Sequence, residues 1–458
     1  MKDLTTGNEG SVILRFATPM LLGNLFQQLY NVTDRIIVGQ AIGDEALAAV
    51  GASYPILFAL VSFSIGIASG GTIVIAQYFG AKDYNNVKKA ISTLYIFFFI
   101  ASIILSVAGI LLSESIFRLT MLPEEVIPQA KTYFIIISSG IIVFFGFNGT
   151  SAILRGLGDS KTPLYFLIIA SVFNVILDLL FVIVLKWGIS GAAFATIISH
   201  FGAFLTAILY LNKTHKLINI NFLRLKFDRK IFYHSVKIGV PAGFQHTFVA
   251  IGMIALYRIV NEFGTEVTSA YSAAGTINNI AMLPAMSLSQ ALAAFVGQNL
   301  GASKTNRVKA GMRATLIMAS VLSFVITIMI VVFRNLLMHL FTDSTEVIRV
   351  GTEYLIIVGS FYLFFSTMFT FNGVMRGAGD TLIPMFITLV ALWVIRLPLA
   401  VILSKFIGTD GIWWSAPASW FTGMLFSYLY YLSGRWKSKV IVRKVEDTNL
   451  AVSASVIE

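Results

Sequence analysis

The stretch LRGLGDSKTP at residues 154–163 returns as MRGAGDTLIP at 375–384. Arg155, Gly156, Gly158, Asp159 and Pro163 are repeated as Arg376, Gly377, Gly379, Asp380 and Pro384. A second pair, QYFGAKDYNNVK at 77–88 and QNLGASKTNRVK at 298–309, has the same displacement: 375 is 154 moved by 221 residues, and 298 is 77 moved by 221. One constant offset without gaps predicts two homologous halves. Around these motifs lie long apolar runs, so each half is a set of hydrophobic segments punctuated by polar turns.

Of the 458 residues, 57% are hydrophobic and 12% charged. That is about half the charge of a soluble domain, and the mean hydropathy is +0.83. Runs of eighteen or more apolar residues recur, each long enough to cross a hydrocarbon core about 30 Å thick. Twelve spans are predicted near 12–38, 46–78, 90–112, 131–154, 162–185, 188–211, 236–260, 267–298, 310–333, 348–375, 383–404 and 410–432. They should be helices, because in lipid a backbone polar group finds its partner only within the helix or in a closed barrel. The runs are too long for barrel strands and lack alternation. The fold class is therefore an all-α integral membrane protein, with twelve transmembrane helices in two homologous six-helix lobes around a central cavity. The lobes are read as 1–211 and 236–433, with a linker at 212–235 and a tail at 434–458 that is disordered after Arg443. The apolar run after MKDLTTGNEG reads as an uncleaved first span.

Lys and Arg gather in alternate connections: AKDYNNVKK, RGLGDSK, the stretch 213–237, SKTNRVKAGMR and RWKSKVIVRK. The other connections (GDEA, LPEEV, NEFGTE, TDSTEV) are acidic. The positive-inside rule puts the basic set and both termini in the cytoplasm of a plasma (inner) membrane protein. An even number of spans agrees. The net charge of +11 lies in short loops rather than on one face, which argues against nucleic acid. There is no cysteine, so thiol chemistry and disulfides are excluded. No phosphate-binding G-x-x-x-x-G-K-[ST], H-E-x-x-H or G-x-S-x-G motif occurs, which leaves an ATP-driven pump or an enzyme without support.

Two six-span halves face the same way and are related by an axis along the membrane normal. Transporters of this kind bind substrate between the halves and rock one against the other. Ionisable residues inside spans are costly and so point to function. FNVILDLLFV (173–182) carries Asp178 in mid-span, with Asn174 one turn earlier on the same face. Asp34 lies toward the end of the first span. The offset maps Asp178 onto Leu399 and Asp34 onto Ala255, so the acids belong to one half only. They read either as a proton or sodium site, since burial disfavours a charged carboxylate, or as packing hydrogen bonds. Arg396 is a mid-span cation that could pair with an acid or with carbonyls freed by Pro398. The Arg-Gly-x-Gly-Asp turns read as clasps in which Arg and Asp pair across helices. His246 reads as a hydrogen-bonded bundle residue, and His200 as neutral filler near a helix end. GIASGG (66–71) offers small residues for close helix approach. Met253, Met282 and Met286 are either core or an adaptable wall for apolar ligands.

Together GNLFQQLYNVTDRIIVGQAIGDEALAAVG, LRGLGDSKTP, FNVILDLLFV, GISGAAFATI and MRGAGDTLIP resemble the multidrug and toxic compound extrusion (MATE) transporters over about residues 11–433. The resemblance implies efflux of organic, cationic and amphipathic compounds in exchange for H+ or Na+, with no cofactor beyond the coupling ion. It implies an ion site at Asp34, Asn174, Asp178 and Thr196, close to the DinF-like branch, with Na+ held at Asp34 and Asp178 if sodium is the ion. Tyr30 or Tyr133 would complete it. Tyr30, Tyr133, Gln245, His246, Met253, Met282, Met286 and Arg396 are the expected cavity residues. The partners are small organic molecules and the bilayer, with one chain sufficient for a pathway. The alternative is a lipid-linked oligosaccharide or polysaccharide flippase of the same superfamily.

Overall fold

The computed structural model describes residues 3–119, 122, 124–214 and 225–442. Twelve helical units follow one another. The first six are α1 (Glu9–Ala41), α2 (Asp44–Gly80), α3 (Tyr84–Leu119), α4 (Ile127–Ser139 and Ile141–Gly156), α5 (Lys161–Asp178, continued by a π-helical turn Leu179–Val184) and α6 (Gly188–Thr214). The second six are α7 (Arg229–Asn261), α8 (Thr265–Gly301), α9 (Thr305–His339), α10 (Thr345–Gly359 and Tyr362–Ala378), α11 (Leu382–Ile407, with a π-helical turn Val390–Arg396) and α12 (Thr409–Ser433). Among the described residues there is no strand. Among the described residues eight helices are long and apolar enough to cross a bilayer, and ten when each bent pair counts as one. The other two are α1, which carries Asn24, Gln27, Asn31 and Asp34, and α12, which is rich in Ser, Tyr and Trp.

The repeat extends to the backbone. Gly43 and Gly264 have φ of 115° and 95°, Lys82 and Ser303 both 59°, and Gly158 and Gly379 81° and 95°. Each pair keeps the 221-residue offset. The fourth and tenth units bend by 49° and 48°. Left-handed φ favours Gly; Lys82 and Ser303 adopt it just past the ends of α2 and α8, the usual place for such a C-terminal residue.

Polar side chains start the helices between the apolar runs. Asn8 accepts the Ser11 N–H at 3.1 Å, Asp159 the Thr162 N–H at 3.0 Å and Asp228 the Ile231 N–H at 3.1 Å. Each supplies an acceptor for an N–H that the first helical turn leaves unpaired. Asp228 thereby starts α7 at Arg229, earlier than the 236 expected for the second lobe. Residues 215–224 of the expected linker lie outside the described residues. So does the tail from 443 onward, whereas the part of the tail before it is ordered: Arg435–Lys439 form a 3-10 turn with Trp436 buried.

The lobes meet most closely toward the end that carries the basic loops. There GIASGG does what its small residues predict. A Cβ on Gly66 would lie 2.5 Å from Gly243 N, and one on Gly70 2.7 Å from Gly239 N. Backbone therefore packs on backbone between α2 and α7. Deeper still, a Cβ on Gly80 would collide with the Gln298 carbonyl, and one on Gly301 with the Gln77 carbonyl. These are the same contact made twice, with the lobes exchanged. Gln77 and Gln298 are fully buried. Gln77 Nε2 donates to Gly377 O at 3.1 Å and Gln298 Nε2 to Gly156 O at 3.0 Å. Their Oε1 atoms accept from the chain's two ends: Ile441 N–H at 2.8 Å on Gln77, and Leu4 N–H at 3.0 Å on Gln298. Each terminal segment thus docks on the opposite lobe.

The expected Arg–Asp clasp does not form. Asp159 is used up as the cap of α5, and Asp380 accepts the Tyr430 hydroxyl at 2.5 Å. Arg376 donates to Gln245 Oε1 at 2.7 Å, and Arg155 lines a small cavity beside Asn24 and Ser151. For Asp159 the local helix start outcompetes the longer reach to an arginine, and for Asp380 the Tyr430 hydroxyl does.

Candidate functional site

Polar residues on α1 fall at 24, 27, 31 and 34, a spacing of three or four that puts them on one helix face. That face lines a cavity of about 440 Å³ within the first lobe. Tyr30, Asp34, Tyr133 and Thr196 line it too. Asp178 lies behind this wall, fully buried at the last α-helical position of α5 before the π turn. A π turn adds a residue to the helical ring and is frequent at functional sites.

The expected ion-site residues converge. Asn174, one turn before Asp178, is buried beside Thr196. With its amide turned to satisfy both neighbours, Nδ2 donates to Asp178 Oδ2 at 2.8 Å and the carbonyl oxygen accepts the Thr196 N–H at 3.2 Å. The Asp34 carboxyl faces that of Asp178 within hydrogen-bonding range. Tyr30 meets the Thr196 hydroxyl and has Asp34, Tyr133 and Asp178 as ionisable neighbours. Both tyrosines are therefore placed at the acid pair. Asp178 Oδ1 is buried without a hydrogen-bond partner among the described residues. Asp178 is in none of the ion pairs among the described residues.

His200 is a residue that sequence reasoning undervalued. It sits in the middle of α6 rather than near its end, and lines the same cavity. Its Nδ1 lies 2.9 Å from Thr196 O, and its ring packs 4.3 Å from that of Phe144 and 6.3 Å from that of Tyr30. Its position four residues after Thr196 was the available signal.

The second lobe holds a cavity of its own, of about 410 Å³, lined by Met253, Met282, Met286 and Arg396 among others. Gln245 and His246 do not line it. Gln245 Nε2 donates to Thr388 Oγ1 at 2.6 Å while its Oε1 takes the Arg376 donor, which ties α7 to α10 and α11. His246 stands beside Arg376. Arg396 makes neither pairing foreseen for it: its one hydrogen bond among the described residues is Nη1 to Met253 Sδ, 4.0 Å away.

A family model described as MatE matches the chain twice, over residues 19–180 and 241–402. The probable multidrug resistance protein YpnP of Bacillus subtilis (strain 168) is 35% identical over 437 residues, covering 95% of this chain and 98% of that protein. The probable multidrug resistance protein NorM of Thermotoga maritima is 25% identical over 441 residues, 94% of each. A solved outward-facing multidrug resistance MATE family transporter superposes with a TM-score of 0.89 at 22% identity, over 96% of this chain and 99% of that one. The last likeness bears on the fold alone. The doubled family match falls on the two lobes that the 221-residue repeat defines, and the chain belongs to the MatE family of membrane transporters.

Proposed function

We propose that the chain is a secondary antiporter that exports amphipathic organic compounds, cationic ones included, in exchange for H+ or Na+. The observation that carries this reading is the pair of facing carboxyls, Asp34 and Asp178, at the first-lobe cavity. Two carboxylates at that distance in a low-dielectric site repel unless a proton or a metal ion lies between them. The pair is thus suited to take up one monovalent cation and release it. Asn174, Thr196 and Tyr30 supply the oxygens and donors around it. The names of the relatives, multidrug resistance proteins, suit such an activity.

The cycle follows from the charges. With the lobes closed at the basic end, which the positive-inside rule makes cytoplasmic, the first-lobe cavity is reached from outside. A proton or Na+ entering there neutralises the acid pair and removes the attraction for a cationic substrate, which leaves outward. The lobes then rock and the ion is released inside. One charge moving through 100 mV contributes about 2.3 kcal/mol, enough to bias the rocking. Both cavities lie within a single chain, which suits a monomer of the plasma membrane.

The test is efflux of a fluorescent organic cation from vesicles holding the purified protein, under an imposed pH or Na+ gradient. Gradient-driven transport should vanish in Asp178→Asn and in Asp34→Asn. Wild-type rates in both variants would overturn the mechanism.

A further inference from the structure

We infer that the second-lobe cavity is a binding site for an acidic group carried on an aromatic molecule, such as an arene carboxylate or sulfonate. Arg396 ends the π turn of α11 and lines that cavity. A membrane-embedded cation ordinarily has a carboxylate or carbonyl partner. Arg396 is in none of the ion pairs among the described residues. Among the described residues its buried Nε has no acceptor and Nη1 meets only a thioether. Other arginines of this lobe do better: Arg307 pairs with Glu9 at 2.9 Å, and Arg376 donates to Gln245.

The surroundings complete the site. Tyr257, Tyr271 and Tyr354 line the cavity with Arg396. Tyr271 packs edge-on against Tyr257 at 4.8 Å and stacks on Trp413 at 5.6 Å, so its ring is fixed from behind. Asn278 and Asn279 add amides to the lining. Fixed aromatic faces with a few convergent donors are the usual make-up of a ligand pocket, and about 410 Å³ falls in the range of small-molecule sites. A guanidinium offers a planar fork of donors that matches a carboxylate or sulfonate. Among the described residues no carboxylate lines this cavity to welcome a cation instead. The polarity of the two cavities is therefore opposite: a carboxyl, Asp34, lines the first and a guanidinium, Arg396, lines the second. This deepens the antiport reading by naming a chemical class of cargo, and rests on that reading only for the direction of transport.

Equilibrium binding to the detergent-purified full chain tests it without any ion gradient, so failure of coupling and failure of this site are separable. The probes are 2-naphthalenesulfonate and 2-naphthyltrimethylammonium, which share the ring system and differ in charge. In the Asp34→Asn chain, whose first-lobe cavity no longer draws the ammonium probe, the sulfonate should bind at least about tenfold more tightly, the scale of a hydrogen bond to a charged group. Adding Arg396→Gln should erase that preference and Arg396→Lys keep most of it, with unchanged gel filtration and melting. Equal binding of both probes by Asp34→Asn, or undiminished sulfonate affinity when Arg396→Gln is added, overturns the proposal. If Arg396→Gln does not fold, the Asp34→Asn comparison alone decides.

Discussion

Replacing Gln298 by Ala should unlatch the closed end of the transporter. The side chain is fully buried, holds Gly156 O at 3.0 Å across the lobes and receives the Leu4 N–H at 3.0 Å. The Ala variant strands a buried carbonyl and a buried N–H. Each costs about 1–3 kcal/mol if nothing replaces the partner. In the open arrangement water can satisfy both, so the cost falls on the closed state. With partial relaxation, about 2 kcal/mol remains, a shift of about thirtyfold in the closed-to-open ratio. The natural absence of cysteine makes the assay clean. Ser235 is buried on α7 against Gly70 of α2, so Ser235→Cys becomes the only thiol. Its rate of labelling by a bulky maleimide tracks the open population when opening is fast. That rate should rise about thirtyfold in Gln298→Ala, by a similar factor in Gln77→Ala, and further in the double variant. Labelling at the wild-type rate in all three would refute the assignment of the glutamines as the latch.

Two further outcomes follow from the packing and the helix starts. Gly70→Val should lower the melting temperature of the purified protein, because its Cβ meets the α7 backbone at Gly239 and overpacking costs about 1–3 kcal/mol or more; an unchanged melt would mean that α2 and α7 are further apart. Asp228→Ala should cost about 1 kcal/mol through the lost cap of α7. The backbone N–H of Ile231 holds the Asp228 carboxyl below its usual range. Its contribution is therefore fully present above about pH 4, the ordinary aspartate value, and is lost as the pH falls through the lower folded value. Thermal melts from pH 6 to pH 3 should lose the difference between wild type and variant at the acid end.

Much of this was legible because membranes restrict the options. Long apolar runs can only be helices, and an acid among them needs a reason, so Asp34 and Asp178, with Asn174 on the same face, stood out before any coordinates; the resemblance to the MATE transporters joined them to Thr196. The constant offset predicted matched lobes, and the matched φ values of Gly43 and Gly264 extend it to the backbone. Partners across the fold were not legible. Gln77 and Gln298 head the second repeat pair, yet periodicity says nothing of what a glutamine meets in the other lobe. The Arg-Gly-x-Gly-Asp turns invited an arginine–aspartate pair, but Asp159 has the N–H groups of its own helix start closer at hand and Asp380 takes the Tyr430 hydroxyl. Gln245 looked free to line a cavity until Arg376, 131 residues away in sequence, took its oxygen.

The reciprocal contact of Gly80 with Gln298 and Gly301 with Gln77 has an ancestral implication. Had the two halves once been separate identical chains, this would have been the isologous seam of a homodimer, where each patch meets a copy of itself. One mutation there would have altered the seam twice. After fusion each copy drifts alone, so the acids could settle in one half and the arginine in the other while the hinge between them stayed symmetric.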